Sequence, residues 1–176
     1  MRNSLVFIAD ELNATGGPWL LTGRTAAALQ GVIIHSNALS FMTTSEVCDI
    51  IGNKLEAFRT QKVKHRDLGP WKGWIGTFRH ESIDAAIIGD PEFAIGNRSA
   101  RIPIDDIFFS IDPFEVSLSK VWLMPRDWLT VMAYIENDRD LLEALIKSGI
   151  TRDQFRTITD TLGLTYVLKS DIEAIF

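Results

Sequence analysis

Phe114-Glu115-Val116-Ser117-Leu118 alternates apolar with polar residues, whereas Trp128, Val131, Met132 and Ile135, just beyond Pro125, recur at helical spacing. The apolar period thus changes from that of a half-buried strand to that of an amphipathic helix. Toward the C-terminus the helical period continues. Leu141, Leu142, Leu145 and Ile146 share a face closed by Gly149, and Thr151-Arg152-Asp153-Gln154 forms a capping box ahead of Phe155, Ile158 and Leu162. An ordinary helical hairpin is expected there, with a last short helix from Ser170.

Toward the N-terminus, strands dominate. Ile102–Ile111, Ile83–Ile88 and the aromatic, glycine-punctuated Trp71–His80 all have strand composition, as do Val32–His35 and the short apolar run Leu5–Ala9. Two helices interrupt them. One covers Thr25–Gln30, with Gly31 placed to end it; the other follows Thr43-Thr44-Ser45-Glu46 and carries the stripe Val47, Ile50, Ile51, Leu55 and Phe58. The expected class is α+β, a mixed or antiparallel sheet from the first two thirds with a C-terminal cluster of short helices. One globular domain over 1–176 is expected, strand-rich over 1–124 and helical over 125–176.

Of the 176 residues, 46% are hydrophobic and 23% charged, an ordinary globular balance. The run Leu5–Ala9 is far shorter than the roughly 20 apolar residues of a membrane span. The single cysteine, Cys48, offers no intramolecular disulfide, so a cytoplasmic, reducing setting without membrane contact is expected. Net charge is −5, unevenly spread. Lys54–Arg79 holds seven basic and two acidic residues, leaving the rest of the chain at −10.

Several motif-like stretches fail at a definable residue. Gly17–Thr25 resembles a phosphate-binding loop, but Arg24 stands where lysine is needed and Pro18 removes an amide donor. His65-Arg66-Asp67-Leu68 resembles the start of a protein-kinase catalytic loop, yet Lys72 occupies the place of its asparagine. Asp10-Glu11, read as following a strand, offers carboxylates for a metal or a base if His35, His65 or His80 converges on them. The sequence assigns no catalytic residue, metal ligand or cofactor.

The segment that stands out interleaves Arg59, Lys62, Lys64, Arg66, Lys72 and Arg79 with Trp71 and Trp74. Cations and aromatic anchors suit an acidic protein surface or the phosphates and bases of nucleic acid. The leading expectation is a non-enzymatic binding or regulatory protein, of inhibitor or immunity type, acting by occupying an acidic protein partner through this segment. Nucleic acid is the alternative partner. A small metal- or histidine-dependent hydrolase or transferase centred on Asp10, Glu11 and a histidine comes third. Oligomeric state is left open.

Overall fold

The structure, a computed structural model, describes every residue except 96, 167 and 169–173. In chain order the elements are α1 (Arg2–Asn13), β1 (Trp19–Thr22), α2 (Gly23–Leu29), β2 (Ala38–Thr43), α3 (Ser45–Lys54), a 3-10 turn (Glu56–Phe58), β3 (Arg59–Leu68) and β4 (Trp71–His80). There follow β5 (Ile83–Ile95), β6 (Arg98–Arg101), α4 (Ile104–Ser110), β7 (Phe114–Val116), β8 (Ser119–Val121), α5 (Arg126–Ile135), α6 (Arg139–Lys147) and α7 (Arg152–Thr161). The main sheet runs β1-β2-β5-β4-β3, with β6 also on β5, and β7 pairs with β8. β2 and β5 pair in parallel, Leu21 of β1 forms an isolated parallel bridge to Leu123, and the other strand pairs of this sheet among the described residues are antiparallel, so the sheet is mixed and the architecture is α+β.

Three of the expected strands are not strands. Leu5–Ala9 lies inside α1, where Leu5, Ile8, Ala9 and Leu12 are buried at spacings of three and four. A five-residue apolar run satisfies both periods, and Leu12 supplies the turn that decides for helix. Val32–His35 is irregular, with Ile33 97% exposed, and the strand comes later, at Ala38–Thr43. Within Ile102–Ile111 a helix forms instead: Pro103 precedes the first turn of α4, where its lost amide costs nothing, and Asp105 and Asp106 suit the positive end of the helix. The segment expected from Ser170 falls largely outside the described residues.

The helix after Thr43 begins one residue later than its capping signal suggests. Thr44 is the N-cap, accepting from the Val47 amide, while the buried Thr43 ends β2 and donates its hydroxyl to the Pro18 carbonyl at 2.6 Å. Val47, Cys48, Ile51 and Leu55 face the sheet, and Ile50 and Phe58 remain at the surface. Close approach of α3 to the sheet depends on glycine. A Cβ on Gly89 would stand 2.7 Å from Cys48 Cβ, and Gly52 and Gly76 both abut Val63. Behind the sheet, every residue of α5 from Trp128 to Ala133 is buried, and α6 and α7 pack on this helix. α2 touches both β1–β2 and α5. Among the described residues no helix is long and apolar enough to cross a membrane.

Candidate functional site

The basic and aromatic residues of 59–79 do not form one continuous surface. Trp71 is 3% exposed, its indole N–H donating to Glu136 Oε1 at 2.6 Å, whereas Trp74 is 42% exposed. The arginines are engaged. Arg59 pairs with Glu56 at 3.0 Å, Arg79 pairs with Asp84 at 2.7 Å, and Arg66 donates to Gln61 Oε1 at 2.8 Å and to the carbonyls of Ile75 and Lys62. Lys62, Lys64 and Lys72 are exposed and, among the described residues, free of ion pairs.

Asp10, Glu11 and the histidines do not converge. The two carboxylates belong to a helix, and Glu11 pairs with Lys54 at 3.4 Å. His80 stacks beneath Phe7 at 4.3 Å and its Nδ1 lies 3.2 Å from the Ser4 hydroxyl, a structural contact that pins α1 to β4. Among the described residues no three His, Cys, Asp or Glu side chains are placed to hold a metal ion together. The glycine-rich loop has its own structural reason. Gly23 adopts φ +66°, the left-handed region where a side chain is strained, and Arg24 is clamped by Asp138 at 2.8 and 2.6 Å.

Strand pairing assembles another group of residues. Thr22, Ser40, Ala86 and Thr77 lie side by side across β1, β2, β5 and β4, and two residues along, Ala38, Asp84 and Arg79 make a second row. Side chains two apart on a strand share a face, so both rows project to the same side of the sheet. The alternate residues Leu39, Phe41, Ala85, Ile87 and Phe78 are buried on the opposite side. The result is a polar shelf at one end of the sheet: Ser40, Ala86 and Thr77 are half-buried, and Asp84 and Arg79 stand exposed at its rim.

Hydroxyls order its surroundings. Thr77 and Thr60 share a hydrogen bond of 2.8 Å, Thr22 donates to the Ser40 carbonyl at 3.3 Å, and Thr25 donates to the Ala38 carbonyl at 2.8 Å. The Arg79 guanidinium hydrogen-bonds Asp84 and holds its carboxyl below the ordinary range. Chemically, the shelf offers one guanidinium suited to a phosphate, one carboxylate and several hydroxyls. Of these residues only Arg79 was singled out in the sequence. The others are small, polar and far apart in the chain, and no spacing rule joins residues 40, 77, 84 and 86.

Neither a protein-family model nor a curated protein matches the chain by sequence. Solved structures do match it. A candidate nucleotidyltransferase of Thermotoga maritima, 21% identical, aligns with a TM-score of 0.64 over 82% of this chain and 89% of its own. The antibiotic-resistance factor ANT(2'')-Ia, 11% identical, aligns with a TM-score of 0.57 over 100% of both chains. A crystal structure of that factor with adenylyl-2''-tobramycin, also 11% identical, gives 0.47 over 98% of this chain and 94% of its own. The first two likenesses establish the fold. They also correct the expectation of a non-enzymatic partner protein of inhibitor or regulatory type, because the fold is shared over 82% of this chain with the candidate nucleotidyltransferase and over all of it with ANT(2'')-Ia.

Proposed function

We propose that the protein is a transferase acting on a nucleoside triphosphate, bound on the polar shelf of Ser40, Ala86, Thr77, Asp84 and Arg79. The observation that supports this reading most is that a chain with the fold of two nucleotidyltransferase structures keeps this end of its sheet polar and uncovered. Arg79 would exchange its bond to Asp84 for a phosphate oxygen, a charge-assisted and potentially bidentate contact. The Ser40 and Thr77 hydroxyls would orient the nucleotide. A cytoplasmic setting belongs to the same reading, since it supplies nucleotides and keeps the buried free thiol of Cys48 reduced.

Nucleotidyl transfer is phosphoryl chemistry, commonly clamped by divalent cations held between carboxylates and substrate phosphates. The shelf offers one carboxylate, Asp84, already held by Arg79, and its neighbours Ala38, Ser40, Ala86 and Thr77 carry none. That donor set does not fit a pair of carboxylate-held cations, and no step is derived through one. The same observation favours a second reading, in which the shelf binds the nucleotide without transferring it.

Thermal melting with each of the four nucleoside triphosphates tests the binding. Ligand at roughly 100 times its Kd adds about 2.7 kcal/mol, a rise of several degrees in Tm. Arg79→Ala should abolish the rise while leaving the unliganded Tm within about 2 °C, because Arg79 is exposed. If no triphosphate stabilises the wild-type chain, both readings fall. Transfer of label from an α-labelled triphosphate separates the first reading from the second.

A further inference from the structure

β3 is an outer strand, paired with β4 on one side and with no strand on the other among the described residues. It carries Lys62, Lys64 and His65, all exposed, and β4 adds exposed Lys72 and Trp74. His65 and Trp74 are cross-strand partners whose rings meet edge to face at 5.8 Å and 82°. The indole is thereby held in place while 42% of Trp74 remains open to solvent. Lys72 lies two residues from Trp74 on the same face of β4. Lys62, Lys64 and Lys72 are free of ion pairs among the described residues, even though the chain carries −5 overall. Lys72 has an acidic cross-strand partner on each side, Asp67 on β3 and Glu92 on β5, and Glu92 is itself paired with Arg101.

Lys72 beside a fixed, exposed aromatic ring, with Lys62 and Lys64 on the bare outer strand and Lys64 on its opposite face beside Ile75, fits a polyanion that passes over the free edge and also has flat faces to stack. Lysine is depleted at protein interfaces, which rely on apolar anchors, and the other indole of this region, Trp71, is buried beneath Glu136. Lysines on a free edge also discourage pairing by another strand. In duplex nucleic acid the bases stack on one another, so a free indole selects unpaired ones. We propose that the free edge of the β3–β4 ribbon binds single-stranded nucleic acid, with Trp74, braced by His65, stacking on a base and Lys62, Lys64 and Lys72 meeting phosphates. The strip is separate from the shelf. Trp74 lies five residues along β4 from Arg79, about 17 Å at the rise of a strand, and the binding does not depend on the nucleotide reading.

The test measures anisotropy of labelled oligo(U) and oligo(dT) of about 12 nucleotides, and of a duplex of equal length, against the full chain between about 50 and 200 mM salt. Expected are tighter binding to single strands than to duplex and affinity that falls with salt. Replacing all three lysines by glutamate (K62E, K64E, K72E) should weaken binding more than tenfold and flatten the slope of log K against log salt by about 2. Trp74→Ala should cost roughly tenfold, with Trp74→Phe retaining most of the affinity, since phenyl also stacks. Unchanged Tm values would show that these surface variants fold. The proposal is overturned if no salt-dependent binding occurs, if the lysine or Trp74→Ala variants bind like wild type, or if poly(Glu) of similar length binds as tightly as the oligonucleotides. Triphosphate-induced stabilisation, measured in parallel, reports on the shelf separately.

Discussion

Cys48 sits on the buried face of α3, its thiol 3.1 Å from the Trp74 carbonyl and 3.8 Å from that of Ile87. Desolvation dominates its chemistry and pushes the thiol up to about 12, well above its ordinary value of 9.0. Since the thiolate is the nucleophile, native Cys48 should resist iodoacetamide at pH 8 and react fully only after unfolding. A native rate within tenfold of a free thiol would contradict this. The sign of the linkage follows: a folded-state value above the unfolded one favours the native state while the thiol is protonated, and that contribution declines as pH rises from about 9 toward 12. At this scale the sequence identified residue types well and their surroundings poorly. Trp71 and Trp74 are three positions apart in one aromatic stretch, so the alternation of β4 turns one inward and the other outward, and packing against Glu136 makes the Trp71 side the buried one.

Elements with strong local signals form where the sequence puts them. Trp71–His80 is β4, and the Thr151–Gln154 capping box has both of its reciprocal hydrogen bonds at the start of α7. The failures, at Leu5–Ala9, Val32–His35 and Ile102–Ile111, are short apolar runs whose composition suits either state and whose partners lie far along the chain. Seating α3 on the sheet depends on a position that local reading passes over. At Gly89 a Cβ would meet Cys48 Cβ at 2.7 Å, and Ser45 Cα and the Thr44 carbonyl at 2.9 Å, groups that a side-chain rotation cannot clear. Gly89→Ala should therefore cost about 2 kcal/mol through overpacking, lowering Tm by about 4 to 8 °C. An unchanged melting curve would mean that α3 is free to lift from the sheet.

Across the whole molecule, the strand-rich and helical parts are joined by a polar contact as well as by the core. Arg24, at the start of α2, makes two hydrogen bonds to Asp138, which also caps α6 by accepting from the Leu141 amide. Burial raises the Asp138 carboxyl, but its hydrogen bonds from Arg24 and Leu141 outweigh that effect and hold it below the ordinary value of 3.8. The contact therefore contributes above that pH and is lost as acid protonates the carboxylate. Asp138→Ala should destabilise by about 1 to 2 kcal/mol, losing cap and ion pair together. Arg24→Ala should cost less, about 0.5 kcal/mol, as its side chain is about a third exposed. Urea denaturation of both single variants and the double variant gives the coupling, and strict additivity would show that the pair contributes nothing.

The sequence by itself determined the α+β class, the C-terminal helices, β4 and the concentration of positive charge at 54–79, because caps, hydrophobic period and composition act between residues near one another in the chain. Tertiary structure decided the candidate site. The parallel pairing of β2 with β5 sets Ser40 beside Ala86 and Ala38 beside Asp84 across more than forty residues of chain, and β4 then brings Thr77 and Arg79 alongside. Strand register is fixed by burial of Leu39, Phe41, Ala85 and Ile87 on the far face, and such long-range pairing leaves no mark in the spacing of the polar residues that it aligns.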